Sequence, residues 1–209
     1  MDCDMNKPEF KWFYDGELNV CVNCVDRHLP TRGNQTAIIF EQDEPGTHTK
    51  TTYAELHKMI CQVAKVLLNR GIKKGDVVTL YMPMSPMAVA SMLACARIGA
   101  MHSVVFTGFS SEALASRIMD ANSKVILTAN SCKRGGRTIN IKNIVDKAVE
   151  LCDEGVVSSV LMHKRTDDEV EWNEAHDVDL DQAMVDLGDD WNVEPVSMNA
   201  EDPLFLQRV

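Results

Sequence analysis

Apolar residues along this chain fall into short blocks that switch between two periods. Leu56, Met59, Ile60, Val63, Ala64 and Leu67 recur at three- and four-residue spacing, the period of a helix with one buried face. Thr52-Tyr53-Ala54-Glu55 opens that block as a capping box. The threonine accepts from a first-turn amide while the glutamate reaches back, and Gly71 supplies the left-handed stop. Val77-Val78-Thr79-Leu80-Tyr81 follows as a buried strand. Ser85-Pro86 reads as an N-cap with proline at the first helical position. The helix it starts is apolar nearly all round (Met87, Val89, Met92, Leu93, Cys95, Ile98) and is expected to be buried until Gly99 ends it. Residues 102–106 are the next strand, and Ser110 caps a helix running through Ala121. Residues 125–129 form a third strand, 144–151 a further helix and 156–162 a fourth strand. Strands alternating with helices imply βαβ units. The expected fold class is therefore α/β, with a mostly parallel sheet covered by helices on both faces.

The flanks are less regular. Residues 1–50 contain the aromatic run Trp12-Phe13-Tyr14 and a strand-like stretch at 36–40. Pro45-Gly46 marks the turn of a hairpin. Residues 166–190 read as an acidic, solvated surface loop with a short helix near 180–187. Three parts are expected: an irregular segment and hairpin at 1–50, a βαβ-repeating subdomain at 51–165, and an acidic segment returning to the sheet at 166–209.

Charge and cysteine usage narrow the function. The chain has 209 residues and a formal net charge of −10. Residues 153–203 hold sixteen Asp or Glu against two Lys or Arg, so the remainder carries a small positive excess. Nucleic acid is excluded as a partner because phosphate backbones need a basic surface. A small anion at a local basic turn fits the positive part. No apolar run approaches membrane-span length. The acidic start, Met1-Asp2-Cys3-Asp4-Met5, lacks a basic n-region and an apolar core, so no secretory signal is expected. The expected compartment is the cytoplasm, with the nucleus open, and seven cysteines fit it as reduced thiols. Cys21-Val22-Asn23-Cys24 is a CxxC without the second pair that a zinc site needs. No HxxxH, HExxH, GxSxG or GxGxxG occurs. A nicotinamide-binding domain would need glycines where Met82-Pro83-Met84-Ser85 stands. His102, opening a buried strand, reads as a hydrogen-bonded core histidine.

One segment carries candidate chemistry. Lys133-Arg134-Gly135-Gly136-Arg137 puts two arginines three apart across a Gly-Gly turn. The glycines allow φ > 0, and both guanidinium forks can then converge on one anion, matching phosphate oxygens bidentately. The bland alternative is a solvent loop with two unrelated arginines. In a parallel sheet, ligands bind beyond the carboxyl ends of the strands. The loops Phe106-Thr107-Gly108-Phe109-Ser110 and 133–137 both leave from that edge. An aromatic and a di-arginine turn side by side suit a nucleotide with a 3′- or 5′-phosphate. Phe106 also reads as a core aromatic at a strand end.

The residues resemble a family in order and with matching gaps. Trp12-Phe13, Leu18-Asn19-Val20, Asn23-Cys24-Val25-Asp26-Arg27-His28-Leu29 and Lys74-Gly75-Asp76-Val77-Val78 resemble the N-terminal part of AMP-forming acetyl-coenzyme A synthetases. So do Tyr81-Met82-Pro83-Met84, the stretch from Met92 to Ala100, His102 to Phe106, Arg134 to Arg137, and Ala200-Glu201-Asp202-Pro203-Leu204-Phe205. The resemblance implies an acetate–CoA ligase. Acetate attacks ATP to give acetyl-adenylate and pyrophosphate, and coenzyme A then displaces AMP. It implies that Arg134 and Arg137 bind the 3′-phosphate of coenzyme A, that Gly135 and Gly136 shape the turn, and that Phe106 and Gly108 lie near its adenine. It assigns no catalytic residue and no metal ligand to these 209 residues. The family's glycine-, serine- and threonine-rich lysine loop, which grips ATP phosphates, follows the strand that ends here at Leu206-Gln207-Arg208-Val209. The acetate pocket, the magnesium ligand and the mobile C-terminal domain lie further on. The expectation is a fragment, either a truncated isoform or an incomplete gene model, that carries a partial coenzyme A site, meets small-molecule substrates, and lacks the C-terminal parts of its fold. ATP and magnesium belong to the full-length family. The alternative is a non-catalytic module that binds the coenzyme A phosphate or a partner.

Overall fold

The computed structural model describes residues 2–7 and 9–208. Short strands β1 (Asp2–Asp4), β2 (Glu9–Lys11) and β3 (Glu17–Leu18) precede the short helices α1 (Val20–Cys24) and α2 (Leu29–Arg32). The hairpin β4 (Thr36–Glu41) and β5 (His48–Thr52) follows, then α3 (Tyr53–Asn69), β6 (Val77–Tyr81) and α4 (Pro86–Arg97). Next come β7 (Met101–Val104), α5 (Ser111–Asp120), β8 (Val125–Ala129), β9 (Ser131–Arg134), β10 (Arg137–Asn140) and α6 (Ile141–Leu151). The chain ends with β11 (Ser159–His163), β12 (Asp177–Asp179), α7 (Leu180–Asp186), β13 (Met198–Asn199) and β14 (Phe205–Leu206).

Six strands form one parallel sheet in the order β12-β11-β8-β6-β7-β14. The period-two alternation of its strands divides the core. Val78, Leu80, Val125, Leu127 and Leu161 pack with Ile60, Leu67, Ala94 and Leu180 on the face covered by α3, α4 and α7. Tyr81, Ile126 and Val160 pack with Leu114, Ile118, Ile141 and Val145 on the face covered by α5 and α6. Each fully buried Leu, Ile or Val contributes about 1.5–3 kcal/mol by leaving water, so the two layers stabilise the sheet from both sides. The capping box at Thr52 and Glu55 forms, with both reciprocal bonds. Ser85 and Ser110 cap α4 and α5.

Several expectations are corrected. The helix expected at 144–151 starts at Ile141, because the Asn140 side chain accepts from the Asn143 amide and caps it. The strand expected at 156–162 begins at Ser159. The acidic run is not only a solvated loop. Its Asp177–Asp179 segment adds a parallel edge strand beside β11, and α7 occupies the expected short-helix position. His102 is not hydrogen-bonded: its Nδ1 is buried without a partner, and its ring stacks 5.8 Å from that of Phe205. Burial pushes its pKa down, so it packs as a neutral ring. Cys21 of the CxxC is buried, but Cys24 is exposed. Burial pushes the Cys21 thiol up to about 12, so it stays protonated as a core thiol.

Candidate phosphate-binding site

β6 is the topological switch of the sheet. From it the chain passes through α4 to β7 on one side, and from β7 through α5 on the opposite face to β8 on the other. Crevices at such points, beyond the carboxyl ends, are where open α/β sheets bind ligands. Two side chains fix this crevice. Thr128 Oγ1 donates to the Tyr81 carbonyl at 2.8 Å, locking the ends of β8 and β6 together. Tyr81 OH donates to the Phe109 carbonyl at 2.8 Å, pinning the loop after β7. Burial pushes the Tyr81 phenol up, so it stays a donor.

The loop after β7 presents aromatic faces. The strand stops at Val104, two residues short of the expected end, and leaves Phe106 in the loop, 58% exposed. Its second reading as a core aromatic is thereby overturned. The Phe106 and Phe109 rings meet edge to face at 6.1 Å. Arg117 of α5 lies over Phe109 at 4.5 Å, and Arg134 lies over Phe106 at 5.6 Å. Such contacts contribute about 0.5–1 kcal/mol each at exposed sites. Gly108 lets the ring lie close: a Cβ there would come within 2.4 Å of Phe106 Cε1.

The arginine turn is the tip of the hairpin β9–β10. Gly135 and Gly136 take φ of 58° and 74°, the sign pattern of a two-residue turn matched to strand twist. A side chain at either position would be strained. Arg134 and Arg137 are direct cross-strand partners, so their side chains share one face of the hairpin. Two like charges placed opposite one another destabilise a hairpin; a dianion between them reverses that sign. Among the described residues neither guanidinium has a carboxylate partner. Lys133 differs. It projects from the other face, and its ammonium pairs with Glu44 at 2.9 Å. The arrangement can take a phosphate on the two free forks, with an aromatic plane beside them.

Two other features do not belong to this site. An apolar hollow of about 450 Å³, lined by Leu18, Ala96, Gly99, Met198 and Leu204 among others, lies where α4 gives way to β7, at the amino edge of the sheet. Asp146, His176 and Asp177 bring possible metal ligands within 4.8 Å of one another. The Lys142 ammonium bonds both carboxylates there, at 2.5 and 2.7 Å, so the group forms an internal ion-pair cluster.

The sequence reading missed Tyr81, Asn130, Asp43 and Arg165. Asn130 is buried at the end of β8. Its side-chain oxygen accepts from the Arg165 and Thr166 amides, and its carbonyl accepts from those of Ile141 and Lys142. An asparagine directly after an apolar strand was its only signal.

The AMP-binding enzyme family model matches residues 25–207. The chain is 48% identical over 203 residues to an acetyl-coenzyme A synthetase of Psychromonas ingrahamii and 51% identical over 203 residues to one of Saccharophagus degradans. It is 49% identical over 204 residues to acetyl-coenzyme A synthetase 2 of Pseudomonas putida. These matches cover 97–98% of this chain and 31% of each relative, so the chain spans about a third of their length. Among the described residues no helix is long and apolar enough to cross a membrane. A family match over most of the chain, on a parallel sheet of the expected kind, means that this chain belongs to the AMP-binding enzymes.

Proposed function

We propose that this chain is the N-terminal portion of an acetate–CoA ligase and that its hairpin β9–β10 holds the 3′-phosphate of coenzyme A. The observation that carries the reading is the pair of arginines on one hairpin face, Arg134 and Arg137, without a carboxylate partner among the described residues, in a chain about half identical to acetyl-coenzyme A synthetases. When bound, coenzyme A supplies the thiol that takes the acetyl group. The residues here hold the opposite end of the molecule. Phosphate contacts that remote from the thiol add binding and orientation rather than chemistry.

The test compares coenzyme A with dephospho-coenzyme A. Charge-assisted arginine–phosphate bonds contribute about 1.5–3 kcal/mol each, and at a solvent-facing hairpin the lower end applies. The chain should therefore bind coenzyme A at about millimolar affinity, near −4 kcal/mol, and prefer it to the dephospho form. Rising salt should erase the preference. The double substitution Arg134→Ala and Arg137→Ala should abolish it. Lys133→Ala should matter less, since Lys133 already pairs with Glu44. Equal NMR shifts for both ligands, or shifts unchanged in the double variant, would leave the turn as a surface loop.

A second outcome follows from the same reading. Adenylation needs cations and amides positioned on the transferring phosphates. These 209 residues include no glycine-, serine- and threonine-rich lysine loop after Phe205. A polypeptide of these residues alone should therefore give no acetate-dependent exchange between pyrophosphate and ATP. Measurable exchange by the purified polypeptide would refute this.

A further inference from the structure

The hairpin that carries Arg134 and Arg137 is not part of the main sheet. Among the described residues its two strands pair only with each other, and an isolated two-stranded hairpin is marginally stable in water. Something else must fix its direction. The face opposite the two arginines provides it. Ser131 Oγ bonds Thr166 Oγ1 at 2.7 Å and also bonds the Asp168 carboxylate, which fastens the base. Nearer the tip, the Lys133 amide donates at 2.9 Å to Asp43 Oδ2. Asp43 lies on the loop between β4 and β5, 90 residues away in sequence. The same carboxylate takes both prongs of the Arg165 fork, at 2.7 Å from Nη1 and 2.5 Å from Nη2. Arg165 is held in turn through its amide, which donates to the buried Asn130.

We propose that Asp43 is a positioning residue for the phosphate-binding arginines, clasping the back of the hairpin to Arg165 and so setting where Arg134 and Arg137 point. The proposal rests on the reading of the hairpin as the 3′-phosphate site. Two features of the clasp suit that role. It holds the hairpin through a backbone amide, so it fixes the strand rather than one flexible side chain. It also sorts charge. Asp43 neutralises Arg165, and Glu44 neutralises Lys133, so among the described residues the hairpin cations without a carboxylate partner are the two on the ligand face. The Arg165 side chain is 11% exposed and that of Asp43 23%.

The experiment uses the 209-residue chain with coenzyme A and dephospho-coenzyme A, titrated by NMR, together with hydrogen exchange of the Lys133 amide. Asp43→Ala removes both bonds. Asp43→Asn keeps an acceptor for the amide and removes the ion pair. Asp43→Glu is the conservative rescue, and Glu44→Ala is a neighbouring control. An ion pair of this kind couples by up to about fivefold in an equilibrium constant. Asp43→Ala and Arg165→Ala should therefore shrink the preference for coenzyme A several-fold, leave dephospho-coenzyme A affinity unchanged, and speed exchange at Lys133. Asp43→Asn should fall between, Asp43→Glu should restore most of the preference, and Glu44→Ala should stay within about twofold of wild type. A residue that only stabilised the fold would weaken both ligands alike. Wild type with a preference that Asp43→Ala, Asp43→Asn and Arg165→Ala all retain would overturn the clasp while leaving the phosphate site standing. Wild type with no preference would overturn the phosphate reading itself, and the clasp with it.

Discussion

Lys142→Ala is expected to destabilise the fold by about 3–5 kcal/mol, the cost of stranding a buried charge. Lys142 opens α6, directly behind the arginine hairpin, and its side chain is fully buried. Its ammonium lies 2.7 Å from Asp177 Oδ2 on the edge strand β12 and 2.5 Å from Asp146 Oδ1 one helical turn on. The Asp177 side chain is also fully buried. Without Lys142 its Oδ2 keeps only the Asn173 amide, and its Oδ1 already lacks a hydrogen bond. Asp146 can partly escape, because burial already pushes its carboxyl up and protonation would neutralise it. The loss therefore comes from the unpaired partner rather than from the missing attraction. That distinction is measurable. Lys142→Met combined with Asp177→Asn removes both charges and should be clearly more stable than Lys142→Met alone, because neighbours in one network are not additive. Urea denaturation followed by tryptophan fluorescence would check it. A Lys142→Ala midpoint matching wild type would show that the pair contributes nothing.

The same pair explains what the sequence concealed. The alternation of strands and helices from Thr52 to Ala129 was legible because it is local: caps, periodicity and turn residues lie within a few positions of one another. The Gly-Gly hairpin tip was legible for the same reason. The acidic stretch was not. Asp168, Asp177, Asp179 and Asp181 look alike in sequence, yet each has a distinct task. Asp168 holds Ser131, Asp177 holds Lys142, Asp179 caps α7, and Asp181 accepts from His163 and from the Lys164 amide. All four named partners, Ser131, Lys142, His163 and Lys164, lie 17–37 residues away, so no short-range pattern marks them. Asp43 is the extreme case, an exposed-looking loop residue whose partners are Lys133 and Arg165. Arg134 and Arg137, the proposed phosphate contacts, stood out by their spacing; Asp43 and Arg165, proposed to position them, did not.

Arg97→Leu should cost a comparable amount, about 3–5 kcal/mol, and should also change how stability depends on pH. Arg97 ends α4 and is 2% exposed. Its Nη1 donates to both oxygens of Asp26, at 2.9 and 3.0 Å, and its Nε donates to the Val193 carbonyl at 2.5 Å. Its own carbonyl accepts from the Val196 amide and from Asn19 Nδ2. The side chain thus ties Asp26 of the N-terminal segment and Val193 to the end of α4, and leucine would strand Asp26 and the Val193 carbonyl without it. His57 reports the same cluster. Its Nε2 lies 3.4 Å from Arg97 Nη2 and 3.5 Å from Asp26 Oδ1. Burial pushes its pKa down, the Arg97 charge pushes it further, and Asp26 opposes both. A histidine with a lowered folded pKa is neutral in the native state. Its contribution is complete above the unfolded value, about 6.5, and is lost as pH falls below that value toward the folded one, because the unfolded chain takes the proton first. Wild type should therefore weaken on acidification from pH 6.5. In Arg97→Leu the repulsion is gone while Asp26 remains, so the folded pKa of His57 rises and the slope flattens. His102, lowered by burial alone, contributes to both proteins alike, so the difference between their curves reports the cluster of Arg97, Asp26 and His57. Urea midpoints measured from pH 7.5 down to 5 would decide it: parallel curves for the two proteins would mean that Arg97 does not set the charge state of this cluster.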